Sequence, residues 1–166
     1  SPELRVVPAT IHIALAEVPK ALTAERLRAT IEITAQGLRD QFGLAHPRIA
    51  IAGLNPHAGE EGAMGHEELD WMRALIADMQ GGAYTLSGPH PADTMFHAGA
   101  RAGYDAAIAM YHDQGHLAVQ LLDMFATVNI TLGLPIIRTS VVHGTANEIA
   151  WQGKASCQSM SQAILV

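Results

Sequence analysis

"YDAAIAMYHDQGH", Tyr104 to His116, is the stretch on which the fold turns. Ala106–Met110 is a short apolar run within an expected strand Tyr104–Met110, the pattern of a strand buried on both faces. It empties abruptly into Tyr111-His112-Asp113-Gln114-Gly115-His116, groups that bind metals and carry protons, and the chain then turns apolar again through Leu122. In an open parallel sheet, ligands sit just beyond the carboxyl ends of the strands. A buried strand that delivers imidazoles and a carboxylate at its end has that form.

Working outward, Arg48-Ile-Ala-Ile-Ala-Gly53 is a second buried run, broken by Gly53 and Pro56. Val6-Val7 reads as a strand end, Ile11–Leu15 is apolar with His12 inside it, and Tyr84–Leu86 is a short strand. Between these runs the period changes. Thr23 is a helix N-cap, followed at helical spacing by Leu27, Ile31, Thr34/Ala35, Leu38 and Phe42, with Gly43 as the stop. Glu67–Gln80 carries Leu69, Met72, Leu75/Ile76 and Met79, a second amphipathic helix. Asp93 is expected to cap a third, running to about Ala102, and His116–Leu122 reads as helical. Gly115 argues against a helix that covers both His112 and His116. Val128–Leu132 and Ile136–Thr139 read as extended, and Ser156–Val166 as a terminal helix.

Strands alternating with helices predict an α/β fold: a layered, mostly parallel sheet with flanking helices. Residues 1–166 form a single α/β region. No helix precedes the first strand to complete a crossover, so a piece of a larger α/β protein is expected. The chain has 166 residues, 49% hydrophobic and 16% charged, enough for a core. Its net charge of −6, without a Lys/Arg block, argues against nucleic-acid binding. No apolar run approaches the roughly 20 residues of a membrane span. One cysteine, Cys157, excludes an internal disulfide. A soluble, cytoplasmic protein is the expectation.

Nine histidines and 15 glycines collect at segment ends, as in loops built for a ligand. His12, His57 and His112 fall at or just after strand ends, and three imidazoles with open positions suit Zn²⁺ or a similar divalent ion. On spacing alone, each of them reads as an ordinary solvated loop histidine; the position at strand ends is what favours the metal. "GLNPHAGEEGAMG" (53–65) is either a ligand loop, in which glycine admits close backbone approach, or a surface loop. "NITLGLPIIRTS" (129–140) brings Asn129 and Arg138 onto neighbouring extended pieces. The Arg138 fork suits a carboxylate or phosphate, or else an ordinary surface ion pair. The turn His143-Gly144-Thr145-Ala146 is small enough to admit a flat ring such as adenine, and is equally a plain turn. There is no Walker loop, no G-x-G-x-x-G after a strand and no G-x-S-x-G elbow.

Taken together, "IHIALAEVPKAL" (11–22), "RIAIAGLNPHAGEEGAMGHEE" (48–68), "SGPHPADTMF" (87–96), "YDAAIAMYHDQGH" (104–116), "VNITLGLPIIRTS" (128–140) and "HGTANEIA" (143–150) resemble, in order, the C-terminal half of the 4-hydroxythreonine-4-phosphate dehydrogenase family of vitamin B6 biosynthesis. The resemblance implies a homodimer with a fold akin to the isocitrate and isopropylmalate dehydrogenases. It implies oxidation of a secondary alcohol by NAD or NADP, followed by loss of CO₂ from the β-keto acid. It implies a divalent metal (Zn, Mg or Co) held by His12, His57 and His112 drawn from both subunits. Asn129, Arg138 and the residue at position 120 would contact substrate, His143, Gly144, Thr145 and Ala146 the cofactor, and Asp93 and Asp113 would lie near the metal or substrate as catalytic carboxylates.

Two positions depart from the family pattern. The family usually carries a lysine where this chain has Gln120. Replacing a charge-assisted contact by a neutral one costs on the order of 1.5–3 kcal/mol. The family also tends to read Asp-Ile-Ala-Gly-Lys-Gly where this chain has Glu148-Ile-Ala-Trp-Gln-Gly-Lys154, and Trp151 is expected to crowd a glycine position. These departures hold open two alternatives: a paralogous dehydrogenase for another hydroxy acid, such as a phosphorylated sugar acid or a dihydrodiol carboxylate, and a non-catalytic truncated remnant.

Overall fold

In the computed structural model, residues 3–166 are described. The first half of the chain runs β1 (Val6–Pro8), α1 (Val18–Ala21), α2 (Ala24–Asp40), β2 (Arg48–Ala52), α3 (Arg73–Asp78) and β3 (Thr85–His90). The second half runs α4 (Ala92–Met95), α5 (Ala98–Arg101), β4 (Ala106–Ala109), α6 (His112–Asp123), β5 (Val128–Thr131), β6 (Arg138–Val141) and α7 (Gln158–Leu165). The chain is α/β, with a parallel sheet and flanking helices.

Strands β1 to β4 form one sheet in the order β1-β4-β2-β3, with every pairing parallel. All four carboxyl ends therefore open on one edge. The loops leaving that edge carry His12 after β1, His57 after β2, Asp93 after β3 and His112 after β4. Strands β5 and β6 pair separately as an antiparallel hairpin, across which α7 packs.

The alternation Ile49-Ala50-Ile51-Ala52 explains how the sheet is covered. Ile49, Ile51, Leu86 and Ile108 point to one face and pack against Leu27, Ile31 and Leu38 of α2 and Leu75 and Ile76 of α3. The opposite face presents Ala50, Ala52 and Ala107, with Met95 packed on them. A face paved with alanine lets a helix lie close, and α6 does so against β1 and β4.

That closeness explains where the sequence reading of α6 fails. The helix starts at His112 and contains both His112 and His116, with Gly115 in its first turn. A Cβ at Gly115 would stand 2.5 Å from Val6 Cγ1 and 3.0 Å from Ala109 Cβ. Glycine is there to seat the helix, and the packing gained offsets its low helical propensity.

The expected third helix is two four-residue helices, α4 and α5. Asp93 caps neither: Pro91 precedes α4, and the ring of His97 accepts from Ala100 N–H to cap α5. The second amphipathic helix begins with a π-helical turn, Glu68–Met72, before α3. Ile11, Ile13 and Leu15 are apolar but exposed, in a loop that ends in a short 3₁₀ turn. Among the described residues no helix is long and apolar enough to cross a membrane.

Candidate active site at the carboxyl edge of the sheet

The end of β4 is pinned from three directions. Thr10 Oγ1 donates to the carbonyl of Met110 at 2.7 Å, and Met110 N–H donates to Gln114 Oε1 at 2.7 Å. The same Gln114 side chain donates through Nε2 to Gly53 O at 2.8 Å, which ties the ends of β4 and β2 together. Chain order predicts none of this for Gln114, which the expected helix from His116 leaves out and which lies in the first turn of α6.

His112 is the first residue of α6. Its Nδ1 lies 2.7 Å from Asp113 Oδ1. A carboxylate that accepts from Nδ1–H keeps the proton there and leaves Nε2 as the free lone pair, an arrangement common among metal-binding histidines. The His12 ring stands 5.5 Å from that of His112, centroid to centroid, tilted by 38°. His116 stacks on His112 at 4.0 Å and 7°. Burial holds His116 below the usual histidine range, with proximity to His112 as the next contribution. A cleft of about 210 Å³ opens between the Thr10–Leu15 segment and Tyr111–Asp113.

The backbone of His12 is left-handed (φ 38°), as is that of His57 (φ 53°). His57 opens a run of five left-handed residues through Glu61. For residues other than glycine such a backbone costs roughly 1–2 kcal/mol each, so the surroundings must hold it. Glu68, fully buried, supplies that support. Its Oε1 accepts from Asn55 N–H at 2.8 Å and its Oε2 from Asn55 Nδ2 at 2.9 Å. The second Nδ2 hydrogen goes to Glu67 Oε2 at 2.7 Å, and this bond is the main cause that lowers the Glu67 pKa. Glu61 at the far end is clamped by Arg73 at 2.7 and 3.1 Å. His57 itself is exposed and lies 3.3 Å from Glu60. Among the described residues of one chain, no three His, Cys, Asp or Glu side chains converge as metal ligands. The structure thus brings His12 and His112 together on one edge and leaves His57 on a neighbouring loop of that edge.

The other candidate positions are more dispersed. Asp93 is exposed in the first turn of α4. In the hairpin, Asn129 faces Ser140 and Thr131 faces Arg138, so Asn129 and Arg138 share one face as diagonal neighbours. Arg138 donates to Thr131 Oγ1 at 2.9 Å. Thr139, on the opposite face, donates to Ala163 O of α7, which leaves the Asn129/Arg138 face open. Gln120 lies on α6 about 12 Å of helical rise beyond His112. His143–Ala146 form an exposed turn after β6, with His143 Nδ1 2.9 Å from Gly144 O and Ala146 left-handed. Trp151 is fully exposed and crowds nothing among the described residues, contrary to expectation. Its backbone is left-handed (φ 63°), the reason a glycine suits this position.

Known proteins match the whole of this chain. Residues 1–166 match the family "Pyridoxal phosphate biosynthetic protein PdxA". The chain is 62% identical over 164 residues to a 4-hydroxythreonine-4-phosphate dehydrogenase of Ruegeria sp. (strain TM1040), with 99% of the chain and 50% of the relative covered. It is 57% identical over 163 residues to the protein of that name from Paracoccus denitrificans (strain Pd 1222), with 98% and 51% covered. Among solved structures, a 4-hydroxythreonine-4-phosphate dehydrogenase from Klebsiella pneumoniae superposes with a TM-score of 0.88 at 43% identity, covering 99% of this chain and 50% of that one. A terephthalate 1,2-cis-dihydrodiol dehydrogenase from Burkholderia xenovorans LB400 superposes with a TM-score of 0.77 at 31% identity, covering 98% and 51%. The chain spans about half the length of the curated relatives it matches. With a family match over every residue and a sheet edge that carries the expected histidines, this chain belongs to the PdxA family of pyridoxal phosphate biosynthetic proteins.

Proposed function

We propose that the protein carrying this chain oxidises the secondary alcohol of 4-phosphohydroxythreonine with NAD or NADP, with loss of CO₂ from the resulting β-keto acid, in pyridoxal phosphate synthesis. One observation carries the reading. The chain whose relatives bear that dehydrogenase name sets His12 and His112 5.5 Å apart at the carboxyl edge, with Asp113 on His112 Nδ1. The fold reading extends to an isocitrate/isopropylmalate dehydrogenase-like scaffold, of which residues 1–166 are one α/β region in the C-terminal half.

The residues brought together in one chain fit two of the three positions of a three-histidine metal site. The tilted pair His12 and His112 offers two nitrogens that can converge. His57, on a strained loop of the same edge, supplies the third from the partner subunit of a homodimer. A bound divalent ion (Zn, Mg or Co) would supply Lewis acidity to the substrate hydroxyl, and the nicotinamide would accept the hydride. The chain's own part is positioning. Asp113 fixes the tautomer of His112, and Gln114 locks the strand ends that carry the edge. Arg138 and Asn129 offer a planar fork and an amide to carboxylate or phosphate oxygens from one hairpin face. Asp93, in the first turn of α4 after β3, is the second catalytic carboxylate. The His143–Ala146 turn is the cofactor neighbour, its small residues admitting a flat ring.

A second reading has its own observation. The terephthalate dihydrodiol dehydrogenase likeness, together with neutral Gln120, favours a paralogue that acts on a non-phosphorylated dihydrodiol carboxylate. Assaying the full-length protein decides between them. The first reading expects NAD(P)H formation with 4-phosphohydroxythreonine, and Gln120→Lys to tighten its binding by about ten-fold or more, the worth of one charge-assisted contact. Turnover of a cis-dihydrodiol carboxylate without turnover of 4-phosphohydroxythreonine would replace it by the second.

A further inference from the structure

His116 stands beside His112 on α6, and the proposed function leaves it unused. It lies one helical turn after His112 on α6, and its Nδ1 is 3.3 Å from the His112 carbonyl. Its ring covers the face of the His112 ring at 4.0 Å, within 7° of parallel. That geometry argues against a ligand role. An imidazole nitrogen points its lone pair within the ring plane, and two parallel planes 4.0 Å apart cannot both contain one ion. His12, tilted by 38°, faces no such bar.

The ring of His112 has two freedoms that bear on a metal: which nitrogen carries the proton, and how the ring is turned. Asp113 fixes the first. We propose that His116 is a positioning residue that fixes the second: its stacked ring holds the plane of His112, and with it the direction of the free Nε2. The half-buried seat of His116, against α6's own first turn, makes it a stiff backing rather than a solvated side chain. The inference rests on the reading of His112 as a metal ligand, and extends it to a residue that touches no metal.

The test compares His116→Leu, which keeps apolar bulk and removes the ring, with His116→Phe, which keeps a flat ring and removes the Nδ1 contact. Long-range proton–nitrogen correlation spectra of the metal-free full-length protein read the tautomer and ring-current shift of His112. Co²⁺ titration reads affinity and the electronic absorption of the bound ion. The expectation is that His116→Leu removes the ring-current shift and weakens Co²⁺ binding roughly three- to ten-fold, the worth of one aromatic pair. His116→Phe keeps both near wild type. An unchanged His112 spectrum and Co²⁺ affinity in His116→Leu would overturn this proposal alone, as would equal losses in the two variants. A wild-type protein that takes up no Co²⁺ would overturn the metal reading and this proposal together.

Discussion

Gln114 and Gly53 lie 61 residues apart in sequence, and the side-chain amide of the first donates to the carbonyl of the second at 2.8 Å. The other end of that amide accepts from Met110 N–H, so one side chain joins the carboxyl ends of β2 and β4. These are the two strands whose following loops carry His57 and His112. Replacing Gln114 by Ala leaves a carbonyl and an N–H without their partner in a half-buried place, which should lower unfolding free energy by about 2 kcal/mol. Gln114→Glu should be no rescue, because a carboxylate cannot donate to Gly53. Urea denaturation of the three proteins checks both statements.

Gly115→Ala sets two effects against each other. Helical propensity favours Ala by about 1 kcal/mol. Against it, the added Cβ meets a stiff Val6 methyl at 2.5 Å and Ala109 at 3.0 Å. Overpacking of a close seat costs about 1–3 kcal/mol, so the net effect should be destabilising. Val6→Ala should relieve most of the clash, and a double-mutant cycle by chemical denaturation should give coupling between the two sites.

Glu68 and Asn55 hold the left-handed turn that carries His57. Glu68→Gln puts an amide where two donors already point, so at least one bond is lost, at a cost of about 1–3 kcal/mol. The loss should be local first. Hydrogen exchange should show faster opening of residues 55–66 before any change in the α2 core, and equal protection of that loop in wild type and variant would refute the assignment.

Asp105 pairs with Arg48 at 2.9 Å and also accepts from its backbone N–H at 2.7 Å, which ties the starts of β2 and β4. The Arg48 hydrogen bond, against a smaller opposing effect of burial, holds the Asp105 carboxyl below its usual pKa. A carboxylate depressed in the folded state adds stability above its unfolded pKa of about 3.9, and that contribution is lost as pH falls through the folded value. Asp105→Asn should therefore be less stable than wild type at neutral pH, and the gap should close on acidification. A gap that widened toward acid would contradict the pairing.

How much of this was legible in the sequence follows from what each pattern encodes. The Ile-Ala alternation of β2, the run of β4 and the 3.6-residue period of α2 state burial directly, so strands and helix stand where the periodicity puts them. Gly115 was misread because glycine marks both helix ends and close packing, and only the distance to Val6 separates the two. The left-handed run from His57 to Glu61 has only a weak signal of its own: Ala and Glu carry no preference for positive φ, and the cause lies in Glu68, whose partner Asn55 is 13 residues away. Ile11, Ile13 and Leu15 mark apolar character without burial in this chain, because apolarity records a preference and not a partner. The pairing of His12 with His112 required the parallel order β1-β4, which no local pattern states.

The central claim is that His12, His57 and His112 together make a metal site at the carboxyl edge. Elemental analysis of the full-length protein, purified without chelator, tests it most directly. About one divalent ion per chain is expected, as for a three-histidine site, with its loss in His57→Ala. Full metal content in that variant would contradict the ligand set.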